Sequence, residues 1–357
     1  MTTITLPTLI VDRAVATANI QRMLEKARTA GAVLRPHFKT HQSLDVGRWF
    51  REAGVDRIAV SSVSMAQQFA ADGWKDIMIA FPVNLREMEE INRLAGRNRL
   101  GLVVSAPGVM PVLAEKLRAP AEVYLKIDVG THRTGFDPGD LDAIERALEQ
   151  SAENPLITIT GLVAHAGHTY HAKSPEDILA IQKDSMELLN SLKKALATEF
   201  PRLLISWGDT PSCSLATEFF GADELRPGNF VYYDLMQWKL GVCKREDLAA
   251  VMAAPVVAMH SERNEMVIYG GAVHLSKEQG LCPEGKPHFG MLVKLNEDGK
   301  WAFPERTCYV RRISQEHGVI SLPAEMMEQF KPGDLLGIVP VHSCLTADLL
   351  RNDTRII

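Results

Sequence analysis

Arg35-Pro36-His37-Phe38-Lys39-Thr40-His41 is the stretch on which the fold turns. Before it runs a short apolar segment, Ala32-Val33-Leu34, and after it an amphipathic stretch from Ser43 to Ala53. The order reads as strand, tight turn, helix, with a lysine at the strand's C-terminal end. Strand C-termini are where βα-barrels and open α/β sheets carry out chemistry. Lysine is a poor choice to finish a buried strand for packing alone, because burying an unpaired ammonium is costly. It suits a Schiff base to an aldehyde, which needs a partly desolvated, readily deprotonated amine. Positive charge on Arg35, His37 and His41 would favour the neutral amine. A surface lysine in a polar turn is the plainer alternative.

Outward from this stretch, short apolar runs alternate with helical patterns up to about residue 235. Asp12 is placed to cap a helix with Val15, Ile20, Leu24 and Ala27 on its apolar face. Strands are expected at 57–60, 76–81, 100–104, 122–128, 157–164, 203–206 and 223–225. Helices are expected between them, among them one opened by Ser174-Pro175-Glu176-Asp177, with serine as cap and proline in the first turn. The strands are near-continuous apolar runs, as when helices cover a parallel sheet. Roughly eight βα units predict an α/β fold, a (β/α)8 TIM-type barrel, with a doubly wound open sheet as the alternative. After about residue 250 the pattern becomes strands divided by Gly, Asn and Pro turns. The expected division is therefore a barrel over residues 1–249 and a smaller C-terminal β domain over 250–357.

The chain has 357 residues, 46% hydrophobic and 23% charged, the balance of a globular protein. A net charge of -5 gives no reason to expect nucleic acid or an anionic membrane as partner. Neither a signal peptide nor a bilayer-spanning run is read from the sequence. The five cysteines are widely spaced and include no C-x-x-C pair. That points to a cytoplasmic protein without a disulfide framework.

Polar groups gather at the strand ends. Lys126-Ile127-Asp128-Val129-Gly130-Thr131-His132-Arg133 carries an arginine into a glycine-flanked loop. His165-Ala166-Gly167-His168-Thr169-Tyr170-His171 sets three histidines and a tyrosine just past a strand. A three-histidine metal site is weighed there against cofactor contact or an ordinary polar loop, and Gly167 argues against a regular helix. Ser206 to Ser212 and Arg226-Pro227-Gly228-Asn229 offer hydroxyls and backbone N–H groups that suit a phosphate, although such loops are also ordinary turns. Near the C-terminus, His342 and Cys344 follow an apolar strand. In extended chain they point to one side, and nitrogen plus thiolate favours zinc over magnesium or calcium. A buried cysteine beside a turn histidine is the alternative.

Taken together these segments resemble the fold-type III pyridoxal-phosphate enzymes, the alanine racemase-like barrels, and most closely their D-serine dehydratase and D-threonine aldolase branch. The resemblance runs from Leu6-Pro7-Thr8 to His342-Ser343-Cys344. It implies pyridoxal 5'-phosphate carried on Lys39, Arg133 near its phenolic oxygen, and His165 packed on its ring. Tyr170 would line the pocket, and Thr210, Gly228 and Asn229 would bind the phosphate. Arg226 matches the arginine that contacts the pyridine nitrogen in the racemases. His342 and Cys344 match metal ligands, with zinc expected first and manganese second. Asp209 departs from the small neutral residue expected beside a phosphate. The activity implied is a metal-dependent lyase reaction on 3-hydroxy-D-amino acids, leaning to dehydration because residue 344 is a thiol. Retro-aldol cleavage to glycine and an aldehyde, or racemisation, are the alternatives. A non-catalytic cofactor carrier would not need the extra β domain. The resemblance also implies a small-molecule D-amino acid substrate and a homodimer.

Overall fold

The computed structural model describes residues 4–357. Contacts divide the chain into two compact units. One comprises Gln21–Lys39 and Leu44–Gly228, and the other takes the chain through Ile20, Thr40–Ser43 and Asn229–Ile357. The chain therefore passes from one unit to the other between Lys39 and Thr40 and again between Gly228 and Asn229.

In chain order the first nine strands are β1 (Thr8–Val11), β2 (Val33–Leu34), β3 (Arg57–Val60), β4 (Asp76–Pro82), β5 (Arg99–Val104), β6 (Ala121–Lys126), β7 (Ile157–Ala164), β8 (Leu204–Trp207) and β9 (Glu224–Leu225). Among the described residues β2 to β9 form one eight-stranded parallel sheet in the order β2-β9-β8-β7-β6-β5-β4-β3. The two ends of this sheet meet at the opening heptapeptide. His37 bridges Ala59 in parallel, Phe38 N–H donates to the Ala59 carbonyl at 2.8 Å, and Ala59 N–H donates to the Pro36 carbonyl at 2.9 Å. Arg35-Pro36-His37-Phe38 is thus the seam that closes the barrel, and the expected (β/α)8 fold is observed.

Several helices start where the sequence places a cap. Side-chain oxygens of Asp12, Ser62, Asp140 and Ser174 accept from Val15, Met65, Ala143 and Asp177 N–H. Each satisfies a donor that the first turn would otherwise leave orphaned. Inside the barrel Ala59, Met78, Val103, Tyr124 and Val163 pack as one layer. Outside it, Phe38 lies among Phe50, Phe69 and Trp74 at ring separations of 5.0, 4.9 and 5.2 Å. Burial of these large side chains anchors the seam. At Gly161 an added Cβ would sit 2.3 Å from the Leu204 carbonyl oxygen, so β7 and β8 approach too closely there for any side chain.

The second unit contains a largely antiparallel sheet, nine-stranded among the described residues. Six of its strands, Ala250–His260, Glu265–Tyr269, His317–Ser321, Tyr309–Ile313, Gly290–Leu295 and Leu335–Pro340, close on themselves. The first of these contains Pro255, which stays in register with Leu335, and a register shift between Val256 and Ala258 follows on the side facing Glu265–Tyr269. β1 joins this sheet, antiparallel to Ala250–His260 and parallel to Thr354–Ile356. Among the described residues no helix is long and apolar enough to cross a membrane.

Candidate active site

Lys39 directly follows the barrel seam. Phe38 takes the buried position in this turn and Lys39 is exposed, its Nζ without a hydrogen-bond or ion-pair partner among the described residues. The neighbours expected to influence it behave differently. Arg35 is turned into the barrel, where Nε meets Glu224 Oε2 at 2.6 Å and Nη1 meets Asp76 Oδ1 at 2.5 Å. Two carboxylates therefore balance its charge. Burial holds the His41 imidazole neutral, with a pKa near 3. These two side chains thus do not supply the positive surroundings expected from the sequence.

Other cations do. Lys126, at the end of β6, is 8% exposed and its Nζ donates to Thr134 Oγ1 at 2.7 Å. Burial, reinforced by Arg133, Arg226 and Lys39, lowers its pKa to about 8. Arg133 is exposed, and its guanidinium has no partner among the described residues. Arg226 is buried. Its Nε donates to Ser206 Oγ at 2.6 Å, and its Nη2 donates to the carbonyls of Ala164 and Ser206 at 2.6 and 2.9 Å. Burial brings its pKa down to about 10. His165 lies in the same electrostatic neighbourhood and is neutral. Burial, then the charge of Lys39, pushes its pKa to about 3. Its Nδ1 donates to the Gly208 carbonyl at 2.5 Å, which fixes the tautomer.

Three further residues complete the barrel half. Tyr170 Oη accepts from Thr210 N–H at 3.4 Å, and its ring centroid is 6.3 Å from that of His165. Thr210 Oγ1 is buried without a partner among the described residues, and the Gly228 N–H is likewise unused. Gly208 permits the close approach of the loop to Arg226, since a Cβ would lie 2.8 Å from the Arg226 Cβ. Asp209 does not oppose an anion here. It caps the helix Thr210–Leu215, with Oδ1 accepting from Ser212 N–H at 2.7 Å and Thr169 Oγ1 at 3.0 Å, and Oδ2 accepting from Ser212 Oγ at 2.7 Å. Burial raises its pKa to about 6, against the pull of these donors. An excess of cations beside an orphaned hydroxyl and a free N–H is the donor set that an anionic phosphate ester needs. Pyridoxal phosphate fits it.

The loop after β7 forms a 3-10 helix, Gly167–His171, although Gly167 argued against a regular helix. Its histidines diverge. His165 bonds Gly208, while His168 Nδ1 lies 3.3 Å from Thr131 Oγ1. Among the described residues no group of three or more His, Cys, Asp or Glu side chains is arranged to hold a metal.

In the second unit His342 and Cys344 come together, but not along an extended strand. Pro340 ends the strand Leu335–Pro340, His342 is the N-cap, and Cys344 lies in the first turn of the helix Ser343–Leu349. The turn still sets imidazole and thiol close enough to interact. Burial works against the charged imidazole, but Cys344 and Asp234 overcome it and raise the pKa to about 11. Two polar groups face the sulfur. Thr40 Oγ1 is 3.2 Å from it, and Asn229 Nδ2 donates to it at 3.5 Å. The same Nδ2 donates to Asp234 Oδ2 at 2.7 Å and Ser343 Oγ at 2.9 Å. The Asn229 side chain is therefore turned to these groups, and its backbone N–H is what remains for the expected phosphate contact. An imidazole nitrogen beside a thiol sulfur is a donor set that fits zinc.

Sequence reasoning assigned no role to Lys126, Asp234 or Thr40, and offered Ser206 only as one hydroxyl of a phosphate-type loop. For Lys126 the signal was legible as a second lysine at a strand end. The other three acquire meaning only through partners distant in the chain.

A barrel with a lysine just past its seam and this cationic set defines a Schiff-base cofactor enzyme of the fold-type III class. Residues 11–235 match the family model described as alanine racemase, N-terminal domain, and residues 249–353 match a putative serine dehydratase domain. The chain belongs to the alanine racemase N-terminal domain family, the fold-type III pyridoxal-phosphate enzymes. It is 29% identical to a D-serine dehydratase of Dictyostelium discoideum, over 98% of this chain and 94% of that one. It is 28% identical to a D-threo-3-hydroxyaspartate dehydratase of Delftia sp. strain HT23, over 96% and 92%. The solved structure of that dehydratase superimposes with a TM-score of 0.88, covering 98% of this chain and 93% of the other. Similar solved structures also include a histidine-to-alanine variant of a D-threo-3-hydroxyaspartate dehydratase and a cysteine-to-alanine variant in the metal-free form, with TM-scores of 0.89 and 0.88. A D-threonine aldolase of Arthrobacter sp. is 27% identical over 64% of this chain and 61% of that one.

Proposed function

We propose that this protein is a pyridoxal-phosphate- and divalent-metal-dependent lyase acting on 3-hydroxy-D-amino acids, with dehydration of the D-serine type as its reaction. The observation that carries the reading is the His342–Cys344 pair at the start of one helix, with Asp234 3.3 Å from the imidazole. A racemase has no use for such a donor set. The metal-free cysteine variant of a D-threo-3-hydroxyaspartate dehydratase supports the same reading.

In this reading Lys39 Nζ carries the cofactor and afterwards takes the α-proton. Arg133, Lys126 and Arg226 balance anionic charge, and neutral His165 packs on the cofactor ring without adding a competing cation. Thr210 Oγ1 and the N–H groups of Gly228 and Asn229 hold the phosphate, with Tyr170 lining the pocket. His342 and Cys344 hold the metal, zinc in preference to manganese. The bound cofactor supplies an electron sink and the metal a Lewis acid for the substrate hydroxyl. Retro-aldol cleavage is the second reading, supported by the similarity to D-threonine aldolase. The thiol at position 344 tips the choice towards dehydration. A homodimer working in the cytoplasm completes the proposal, and among the described residues none of the five cysteines forms a disulfide.

Product analysis on D-serine and D-threonine, with cofactor- and zinc-loaded protein, tests the reading. Ammonia with pyruvate or 2-oxobutanoate, lost on chelation, is the expected result. Glycine and acetaldehyde from D-threonine would make the enzyme an aldolase. Epimerisation alone, indifferent to chelator, would sink the lyase reading.

A further inference from the structure

Asp234 is fully buried, at 0% exposure. Its Oδ1 accepts from Gln237 N–H at 3.0 Å and caps the helix Leu235–Lys239. Its Oδ2 accepts from Asn229 Nδ2 at 2.7 Å, Ser343 N–H at 2.9 Å and Ser343 Oγ at 3.3 Å, and it lies 3.3 Å from His342 Nδ1. No lysine or arginine pairs with it among the described residues, and the imidazole of His342 is the basic side chain this buried carboxylate faces. A buried carboxylate is costly unless it is hydrogen-bonded and balanced. A metal-bound imidazole, polarised towards its far nitrogen, would supply that balance.

From this arrangement we propose that Asp234 is the positioning residue of the metal centre, an inference that rests on His342 and Cys344 being the metal ligands. Asp234 Oδ2 faces His342 on the Nδ1 side at 3.3 Å, and Nδ1 has no other hydrogen-bond partner among the described residues, so a metal held at Nε2 would leave Nδ1–H directed at this carboxylate. Through Asn229, whose Nδ2 meets both Asp234 and the Cys344 sulfur, it also sets the donor that faces the thiolate. Asp234 is not itself a ligand. Its oxygens are taken up by the donors named above, and it approaches the imidazole on the Nδ1 side.

The test is zinc affinity of the full-length, cofactor-loaded protein, measured by competition with a chromophoric chelator. The thiolate-to-cobalt absorbance of the cobalt-substituted protein is read in parallel. Asp234→Asn is expected to weaken zinc binding by about 10- to 100-fold and to shift the cobalt spectrum. Ser343→Ala, which removes one donor from the same carboxylate, is expected to stay within about threefold of the parent. If Asp234→Asn does not fold, Asp234→Ser takes its place, since it keeps a capping oxygen for Gln237 while removing the acceptor for His342. The proposal is overturned if the Asp234 variant binds zinc within about threefold of the parent, or if Ser343→Ala loses as much affinity as it does. A parent protein that binds no zinc would instead overturn the metal reading on which the proposal rests.

Discussion

The Oγ1 of Thr40 lies 3.2 Å from the Sγ of Cys344, although 304 positions separate them. Thr40 is also the residue that follows Lys39 in the chain. A hydroxyl donating to a thiolate stabilises its negative charge and restrains its direction. Thr40→Val should therefore lower metal affinity and turnover by roughly 10-fold, the low end of effects seen for outer-shell partners, while Thr40→Ser should keep most of both. Parallel zinc titration and steady-state kinetics check this, and equal behaviour of the two variants would count against it.

Lys39 has no partner for its Nζ among the described residues, so replacing it should leave folding intact. Lys39→Ala should reduce activity by roughly 10³-fold or more. It should also abolish the visible absorbance of the protein–cofactor Schiff base. Borohydride treatment of the parent, followed by peptide mapping, should locate the cofactor on Lys39. A label on Lys126 would exchange the roles of the two lysines.

The Arg35–Glu224 and Arg35–Asp76 pairs are buried within the barrel unit, and Arg35 is 1% exposed. Removing one partner leaves buried charge uncompensated, which costs about 3–5 kcal/mol. Arg35→Leu should accordingly shift urea unfolding by about that amount, more than Arg93→Leu, whose pairs with Glu89 and Glu90 lie at the surface.

Lys126 makes a prediction about pH. Its folded pKa is about 8, below the 10.5 of an unperturbed lysine, because burial and then Arg133 oppose its charge. Between these values the unfolded chain binds more protons, so the stability attributable to this residue rises with pH across the window. At pH 7 the charged lysine burdens the fold in full. Lys126→Met should therefore stabilise cofactor-free protein relative to the parent at pH 7, and that advantage should shrink as the pH passes 8 towards 10.5. Paired melting curves check it. An advantage independent of pH would show that the lysine is not being titrated in the fold.

Much of the fold was legible because local periodicity is a local property. Arg57–Val60, Ile157–Ala164 and Gly290–Leu295 are strands with the bounds their apolar runs indicated. Ser174 caps its helix as its spacing with Asp177 required. Lys39 could be picked out because a lysine ending an apolar run conflicts with simple burial. The extended reading of His342-Ser343-Cys344 missed the helix that starts at Ser343. A turn and a short helix begin with the same few residues, and here Asp234, 109 positions from Ser343, receives the first N–H of that helix.

By itself, then, the sequence determined the strand and helix pattern, the change of period after the barrel, and the residue types available for a Schiff base, an anion and a metal. Tertiary structure alone decided that Arg35 turns inward to Glu224, that the heptapeptide is the closing seam, and that β1 joins the C-terminal sheet. It also decided that Asp234 stands behind His342. The physical reason is range. Propensity and periodicity act over a few neighbouring residues, whereas a buried carboxylate, a barrel seam and an oriented imidazole are defined by partners that only folding brings within hydrogen-bonding distance.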